Sequence, residues 1–477
     1  MNKTLILVES PTKARTLARF FGDKYDIEAS VGHIRDLPKG DIGVDIEHNF
    51  EPRYVIPKAK QKILTGLKKK VKNKDEVLLA TDPDREGEAI SYHLLEMLKP
   101  EAKKDTTFKR IVFHEITKDA IEEALQSPRG IDEKLVNAQT ARRVLDRVVG
   151  YKISPILWKK IKRNLSAGRV QSIALRLIVE REREIQKFRT EPYFKLFLVI
   201  KKKDQEVEFE LKEFDGKKVD VTEKLDLYDG EYSFSKTILD AATADQIIGN
   251  LSSQTFTVSD VVKKQTKRSP LPPFITSTMQ IEASRRINFN SRKTMQVAQR
   301  LYEEGYITYH RTDSFNLSNQ FITKARSFIS AEFGPNYVSD ETRVFKNKSK
   351  VAQEAHEAIR PTTVGKFDEI KGKISADLGR DGVRLYELIY KRALATQMAD
   401  ALFESTKVTV NASAYVFEKS GSVLLFDGFL KLWYKEAGEE FLPEFIADEK
   451  LPFVKAYKTE HTTTPPPRYN DASLISA

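Results

Sequence analysis

Residues 81–90 read TDPDREGEAI and set Asp82, Asp84, Glu86 and Glu88 within seven positions. Carboxylates this close repel, and each resists ionising unless a positive charge joins them. The chain as a whole is basic, with 80 Lys plus Arg against 69 Asp plus Glu and a net charge of +11. A hard divalent ion such as Mg²⁺, which takes one or two carboxylates with waters and phosphate oxygens, suits such a group. A solvated acidic turn capping a helix is the simpler alternative for a bare Asp-x-Asp. A second candidate is Tyr309, in EEGYITYHRTDS. If YITYHRTD is extended, Tyr309, Arg311 and Asp313 share one face, and Tyr306, Thr308 and His310 point away on the other. A phenol of ordinary pKa, about 10, needs activation before it attacks anything. An arginine two residues on can stabilise the phenolate and grip a phosphate through two hydrogen bonds. His356, in AHEAIRPT, is a candidate proton carrier.

The elements around these residues predict where they sit. KTLILVE is a continuous apolar run ending at Glu9, and Ser10 followed by Pro11 marks a helix start before TKARTLARFF. DEVLLATD reads as a second buried strand ending at Asp82. The following helix, DREGEAISYHLLEML, places Ile90, Leu94, Leu95 and Leu98 on one face. RIVFHE and TKDAIEEAL repeat strand then helix. This alternation predicts an α/β domain with a largely parallel sheet. Ligands gather at the carboxyl ends of such strands, so Glu9 joins the acids of 82–88. Lys13, in the first turn after Glu9, is a candidate to hold a phosphate, with an exposed helix lysine as the simpler alternative.

The middle of the chain is basic. NAQTARRVLDRVVGYKISPILWKKIKRNLSAGRVQS carries Arg142, Arg143, Arg147 and several lysines, with Tyr151 and Trp158 interleaved. Cations contact phosphates and aromatic rings stack on unpaired bases, a pattern suited to single strands. The small residues Ser166, Ala167 and Gly168 allow a backbone to approach before Arg169. A solvated amphipathic helix with core aromatics is the other reading. From about 191 the texture becomes β, returning at ESTKVTVNASAYVFE, with a helical region at about 266–400 between. The helix SRKTMQVAQRLYEE is expected to be capped by Ser291 and stopped by Gly305.

The totals exclude several classes. There is no cysteine, hence no disulfide or thiolate zinc site. No run of about 18 apolar residues crosses a membrane, and MNKTLILVES is a poor secretory leader. No G-x-x-x-x-G-K-[ST], G-x-G-x-x-G or H-E-x-x-H occurs, which argues against a P-loop motor.

Taken together, LVESPTKA, SVGHIRDLP, TDPDREGEAI, ARRVLDRVVGYKISPILWKKI, LSAGRVQS, PLPPFITSTMQ, GYITYHRTDS, AHEAIRPT and PPPRYNDASL resemble the type IA DNA topoisomerases in family order, from Glu9 to Leu474. The resemblance implies a toroidal, multidomain α/β plus α+β architecture. Its parts would be a toprim parallel-sheet domain (1–118), a helical single-strand DNA-binding domain (119–190, continued at 456–477), a β-rich domain (191–265 and 401–455) and an inserted helical domain with the tyrosine (266–400). Tyr309 matches the nucleophile, Arg311 its phosphate-stabilising neighbour, and Lys13 and His356 auxiliary residues. Glu9, Asp82, Asp84 and Glu86 match the acids that hold Mg²⁺. His33, Arg142, Arg143, Asp146, Tyr151, Trp158, Ser166, Ala167, Gly168, Arg169, Val170 and Gln171 match DNA contacts, as does Arg311. The implied activity is ATP-independent relaxation of negatively supercoiled DNA through a 5′-phosphotyrosine intermediate, with no nucleotide, no membrane and no zinc, in a bacterial cytoplasm at the nucleoid. A decatenase like topoisomerase III, a toprim nuclease or primase, or a DNA-binding fragment without turnover are the alternatives. His310 stands where many relatives carry methionine. The resemblance further leads us to expect a chain cut short at Ala477, able to bind and cleave but poor at relaxation. Its last residues, PPPRYNDASLISA, would form a short helix capped at Asp471 that frays.

Overall fold

The computed structural model describes residues 3–346, 357–433 and 440–477. The first apolar run forms the strand Thr4–Val8, whose last four residues are wholly buried. It is an inner strand of a parallel sheet ordered Asp26–Ala29, Thr4–Val8, Glu76–Leu79, Thr107–Arg110. Side chains alternate across the sheet. Leu5, Leu7, Val77 and Leu79 enter a core with Leu67, Leu94 and Leu98 from the helices Lys58–Val71 and Arg85–Leu98. Ile6, Val8, Leu78 and Ala80 enter a second core with Leu17 of the helix Pro11–Phe21. Both faces are covered, which is why the strands read as unbroken apolar runs. The second core continues into Tyr302, Ile307, Tyr309, Phe321 and Tyr386, so the sheet and the tyrosine-bearing helices share one interior.

Some expectations shift. RIVFHE is strand only at Arg110, because the strand is Thr107–Arg110. The following residues turn to the helical unit instead: His114 O accepts from Tyr309 N–H at 2.7 Å, and Glu115 pairs with Arg360 at 2.8 Å. Asn290, not Ser291, caps the helix Ser291–Glu303, accepting from Lys293 N–H at 2.8 Å. Gly305 does follow that helix, with φ +83°; a Cβ there would lie 2.5 Å from Ile116 O, so the chain presses against the parallel-sheet unit at this turn.

A large, otherwise separate sheet runs Lys450–Leu451, Phe256–Arg268, Ala401–Ala412, Tyr415–Phe426, Gln205–Phe214, Pro192–Lys202, Phe453–Thr462. Residues 456–462, expected with the DNA-binding helices, instead pair antiparallel with Pro192–Lys202. Arg268 lies opposite Ala401 in this sheet. The helical unit between them, with helices Thr276–Ile287, Ser291–Glu303, Asn319–Phe333 and Phe367–Ala395, therefore leaves and rejoins at neighbouring positions. The basic stretch forms the helix Glu133–Lys160, followed by Arg169–Lys187. The last helix, Asp471–Ser476, is capped by Asn470 rather than Asp471. Its Ala472 is buried and it lies against Thr276–Ile287 rather than projecting free. Among the described residues, no helix is long and apolar enough to cross a membrane.

Candidate active site

Glu9 follows the strand Thr4–Val8, and Lys13 returns to it one helical turn later, because Ser10 Oγ accepts from Lys13 N–H at 3.2 Å and starts the helix there. Asp82 lies beyond the next strand. Asp84 caps the helix Arg85–Leu98, accepting from Gly87 N–H at 2.9 Å. A Cβ on Gly87 would lie 2.1 Å from Asp82 O, so only glycine permits so tight a loop. The helix then parts the remaining acids. Glu86 faces a cleft, where its Oε2 meets His33 Nε2 and Gln139 Nε2, each at 3.2 Å. Glu88 turns inward and is fully buried. It accepts from Arg110 Nε at 3.1 Å, Arg129 Nη1 at 2.7 Å and Asp132 N–H at 2.7 Å. Arg110 in turn donates to Asp82 O at 2.6 Å, holding the acidic loop by its backbone.

Glu9, Asp82, Asp84 and Glu86 line one open cleft of about 1150 Å³ with His33 and Arg311. The opposite wall, from the helix Ser291–Glu303, brings Arg292, Lys293 and Arg300. Sequence reasoning passed over these three cations and Gln139, although the cations are visible in SRKTMQVAQR. The positive partner expected for the acids is in part internal. Lys13 is not an exposed phosphate holder; it is fully buried and ion-paired to both Glu9 and Asp82. Burial opposes its charge, but Asp82 and then Glu9 keep its pKa above the ordinary lysine value. Burial pushes Glu9 up to about 7, against the pull of Lys13. Burial also works against the Asp82 carboxylate, but Lys13 holds its pKa below the usual range.

Tyr309 is 2% exposed, and its hydroxyl donates to Asp84 Oδ2 at 2.6 Å. Burial, then the charges of Asp82 and Asp84, hold the phenol far above 10, while Arg311 pulls the other way. Arg311 and Asp313 are exposed where Tyr309 is buried, and Arg311 lines the same cleft as Asp82 and Asp84. His310 does not point away from the site. It is buried with its ring 5.4 Å from that of Tyr309, and Asp82 acts on its charge. The helix Ser291–Glu303 encloses both rings, its Tyr302 ring lying 5.1 Å from that of Tyr309 and 6.2 Å from that of His310. Burial lowers His310 to about 3, so it is neutral. His356 lies outside the described residues.

The basic helix is fastened to the parallel-sheet unit. Arg143 grips Asp36 at 2.7–3.0 Å, and Tyr151 donates to Lys39 O at 2.8 Å. Asp146 pairs with Arg169 at 2.6 Å, Trp158 Nε1 donates to Leu165 O at 2.6 Å, and Ala167 N–H donates to Ser154 Oγ at 3.0 Å. Gly168 precedes the next helix, while Ser166, Val170 and Gln171 are exposed. Arg142 is exposed and shares a hollow with His33 and Glu86.

The donor set suits a hard cation. Among the described residues Glu9 Oε2 is buried with no donor to it, and the neighbouring Asp82 and Asp84 offer further carboxylate oxygens. Among the described residues no three acidic or histidine groups converge as a closed cage. The fit is therefore to an ion held by one or two carboxylates and completed by water or phosphate, as Mg²⁺ accepts.

Residues 4–116 match the Toprim domain family, and residues 130–477 match a family described as DNA topoisomerase. The chain is 45% identical over 484 residues to DNA topoisomerase 1 of Campylobacter jejuni, covering 100% of this chain and 66% of that protein. It is 42% identical to DNA topoisomerase 1 of Streptomyces coelicolor, covering 99% of this chain and 52% of that one. Its fold matches full-length topoisomerase I from Thermotoga maritima with a TM-score of 0.81 at 37% identity, covering 99% of this chain and 74% of the other. The chain thus spans about half to two thirds of the length of the curated relatives it matches.

Proposed function

The chain belongs to the type IA DNA topoisomerase family, and on that premise we propose that Tyr309 cleaves and rejoins one strand of DNA, relaxing negative supercoils without ATP. The observation that carries this reading is the 2.6 Å hydrogen bond from the Tyr309 hydroxyl to Asp84, at a cleft that also holds Glu9, Asp82, Arg311 and Arg300. The phenol does not ionise beforehand, so attack and proton transfer go together. The Tyr309 oxygen bonds to phosphorus as its proton passes to Asp84 Oδ2, and Arg311 favours the negative charge that develops. The bond from phosphorus to the 3′-oxygen breaks, leaving the 5′-phosphate on the tyrosine. Glu9, poised near neutral pH, gives its proton to that oxygen as a general acid. Lys13 keeps Asp82 charged and in place beside it. Rejoining reverses each transfer, and because the phosphotyrosine conserves the bond energy no nucleotide is consumed.

Mg²⁺ held by one or two of the carboxylates of Glu9, Asp82 and Asp84 would supply positive charge to the phosphate. Arg292, Lys293 and Arg300 are placed to guide the backbone from the opposite wall. Arg142, beside His33 and Glu86, extends the positive track toward the basic helix. The test is to denature the protein on labelled single-stranded DNA and look for a covalent adduct. The parent should form one and Tyr309→Phe should not, while binding the strand equally well. An adduct that persists in Tyr309→Phe would overturn the assignment.

A further inference from the structure

Tyr302 has no part in the steps above, yet it lies at their centre. It is fully buried at the end of the helix Ser291–Glu303. The Lys13 ammonium lies 4.7 Å from its ring centroid, and the Tyr309 ring lies 5.1 Å away, tilted by 67°. An ammonium over an aromatic face is attracted by the ring's electron density, more strongly once water is excluded. Edge-to-face rings also hold one another's orientation. The two helices that supply this contact are clamped beside it: Thr16 Oγ1 donates to Glu303 O at 3.0 Å, and Arg19 pairs with Glu304 at 2.8 Å. The Tyr302 hydroxyl is buried near the Asp82 carboxylate, and burial, then the charges of Asp82 and Glu9, raise its pKa well above 10. The contacts to Lys13 and Tyr309 are made by the ring.

We propose that Tyr302 is a positioning residue whose ring face seats the Lys13 ammonium between Glu9 and Asp82 and whose packing aims the Tyr309 ring at Asp84. This rests on the reading of Tyr309 as the nucleophile. Lys13 comes from the parallel-sheet unit and Tyr302 from the helical unit, so the contact forms only when the two are together. The ammonium is thus best seated when the nucleophile is in place.

The measurement is the single-turnover rate of adduct formation on pre-bound, labelled single-stranded DNA, with strand affinity and melting temperature followed alongside. Tyr302→Phe should cleave within about threefold of the parent, since it keeps the ring. Replacing Tyr302 by phenylalanines with one, two and three ring fluorines withdraws electron density with little change of shape. The rate should fall stepwise along that series, by about two- to thirtyfold in all, at unchanged affinity and melting. A purely structural role would not follow ring fluorination. Tyr302→Leu, without a ring, should cleave at least as slowly as the trifluorinated variant. A rate that stays flat along the series overturns the proposal and leaves Tyr309 as the nucleophile. A parent that forms no adduct overturns both.

Discussion

Asp84→Asn separates the proton acceptor from the helix cap. Asp84 Oδ1 receives Gly87 N–H at 2.9 Å, and Oδ2 receives the Tyr309 hydroxyl at 2.6 Å. Asparagine caps helices about as well as aspartate, so the first bond survives and the fold should hold. The second position becomes an amide NH₂, which cannot accept the phenol proton. Removing a general base typically costs about 10²–10⁴ in rate, or about 3–5 kcal/mol of barrier. The phenol here is held far above its ordinary pKa, so the upper part of that range is expected. The assay is single-turnover adduct formation on a short oligonucleotide, first in EDTA and then across a Mg²⁺ titration. Asp84→Ala serves as the comparison: it should lose the same rate and additionally about 0.5–2 kcal/mol of stability with the cap. Cleavage by Asp84→Asn within threefold of the parent would refute the base assignment. A loss that added Mg²⁺ restores would show that Asp84 acts through the cation instead.

Three other outcomes follow from the same geometry. Arg142→Ala should reduce the slope of log affinity for single strands against log salt by about 0.7, the value for one phosphate contact. Arg143→Ala should change it less, since Arg143 is already paired with Asp36; equal effects, or none, would contradict this division. Glu9 has a folded pKa of about 7, above the ordinary carboxyl value. A raised pKa contributes stability that is full below about 4.5 and is lost as pH rises through 7. The metal-free protein should therefore melt lower at pH 8 than at pH 5, and Glu9→Gln should flatten that trend. Arg110→Met breaks a buried pair with Glu88 and removes the guanidinium donor from the carbonyls of Leu79, Asp82 and Ile111. It should lower stability by about 3–5 kcal/mol, and a melting temperature equal to the parent's would count against that network.

The parallel sheet is legible because strands covered on both faces must be continuously apolar, and TLILV and EVLL are. Ser10–Pro11 is equally plain, since capping is local chemistry. The parting of Glu86 from Glu88 was also within reach, because residues two apart on a helix face nearly opposite ways. Lys13 was harder. Its burial depends on Asp82, 69 residues away, which no local pattern reports. His310 misled for a related reason: alternation separates two faces but does not say that both will be enclosed. Tyr302 carries no signal of its own among 17 tyrosines. Its place is set by the meeting of two helices nearly 300 residues apart in sequence. The final strand, Phe453–Thr462, was missed because FVKAYKTEHT is mostly polar, as an edge strand can be.

The interior shared by the parallel sheet and the tyrosine-bearing helices has a thermal consequence. A step that draws Tyr309 away from Asp84 by parting the two units opens the core to which Ile111, Phe113 and Ile116 contribute from one side and Tyr302, Ile307 and Phe321 from the other. Exposing that surface raises the heat capacity, so the equilibrium between joined and parted forms must curve with temperature. Apolar attraction weakens on cooling, whereas ion pairs such as Arg360–Glu115 have no such dependence on apolar hydration. The joint should therefore loosen in the cold, behaving less like a hinge than like a small folding reaction within the native protein.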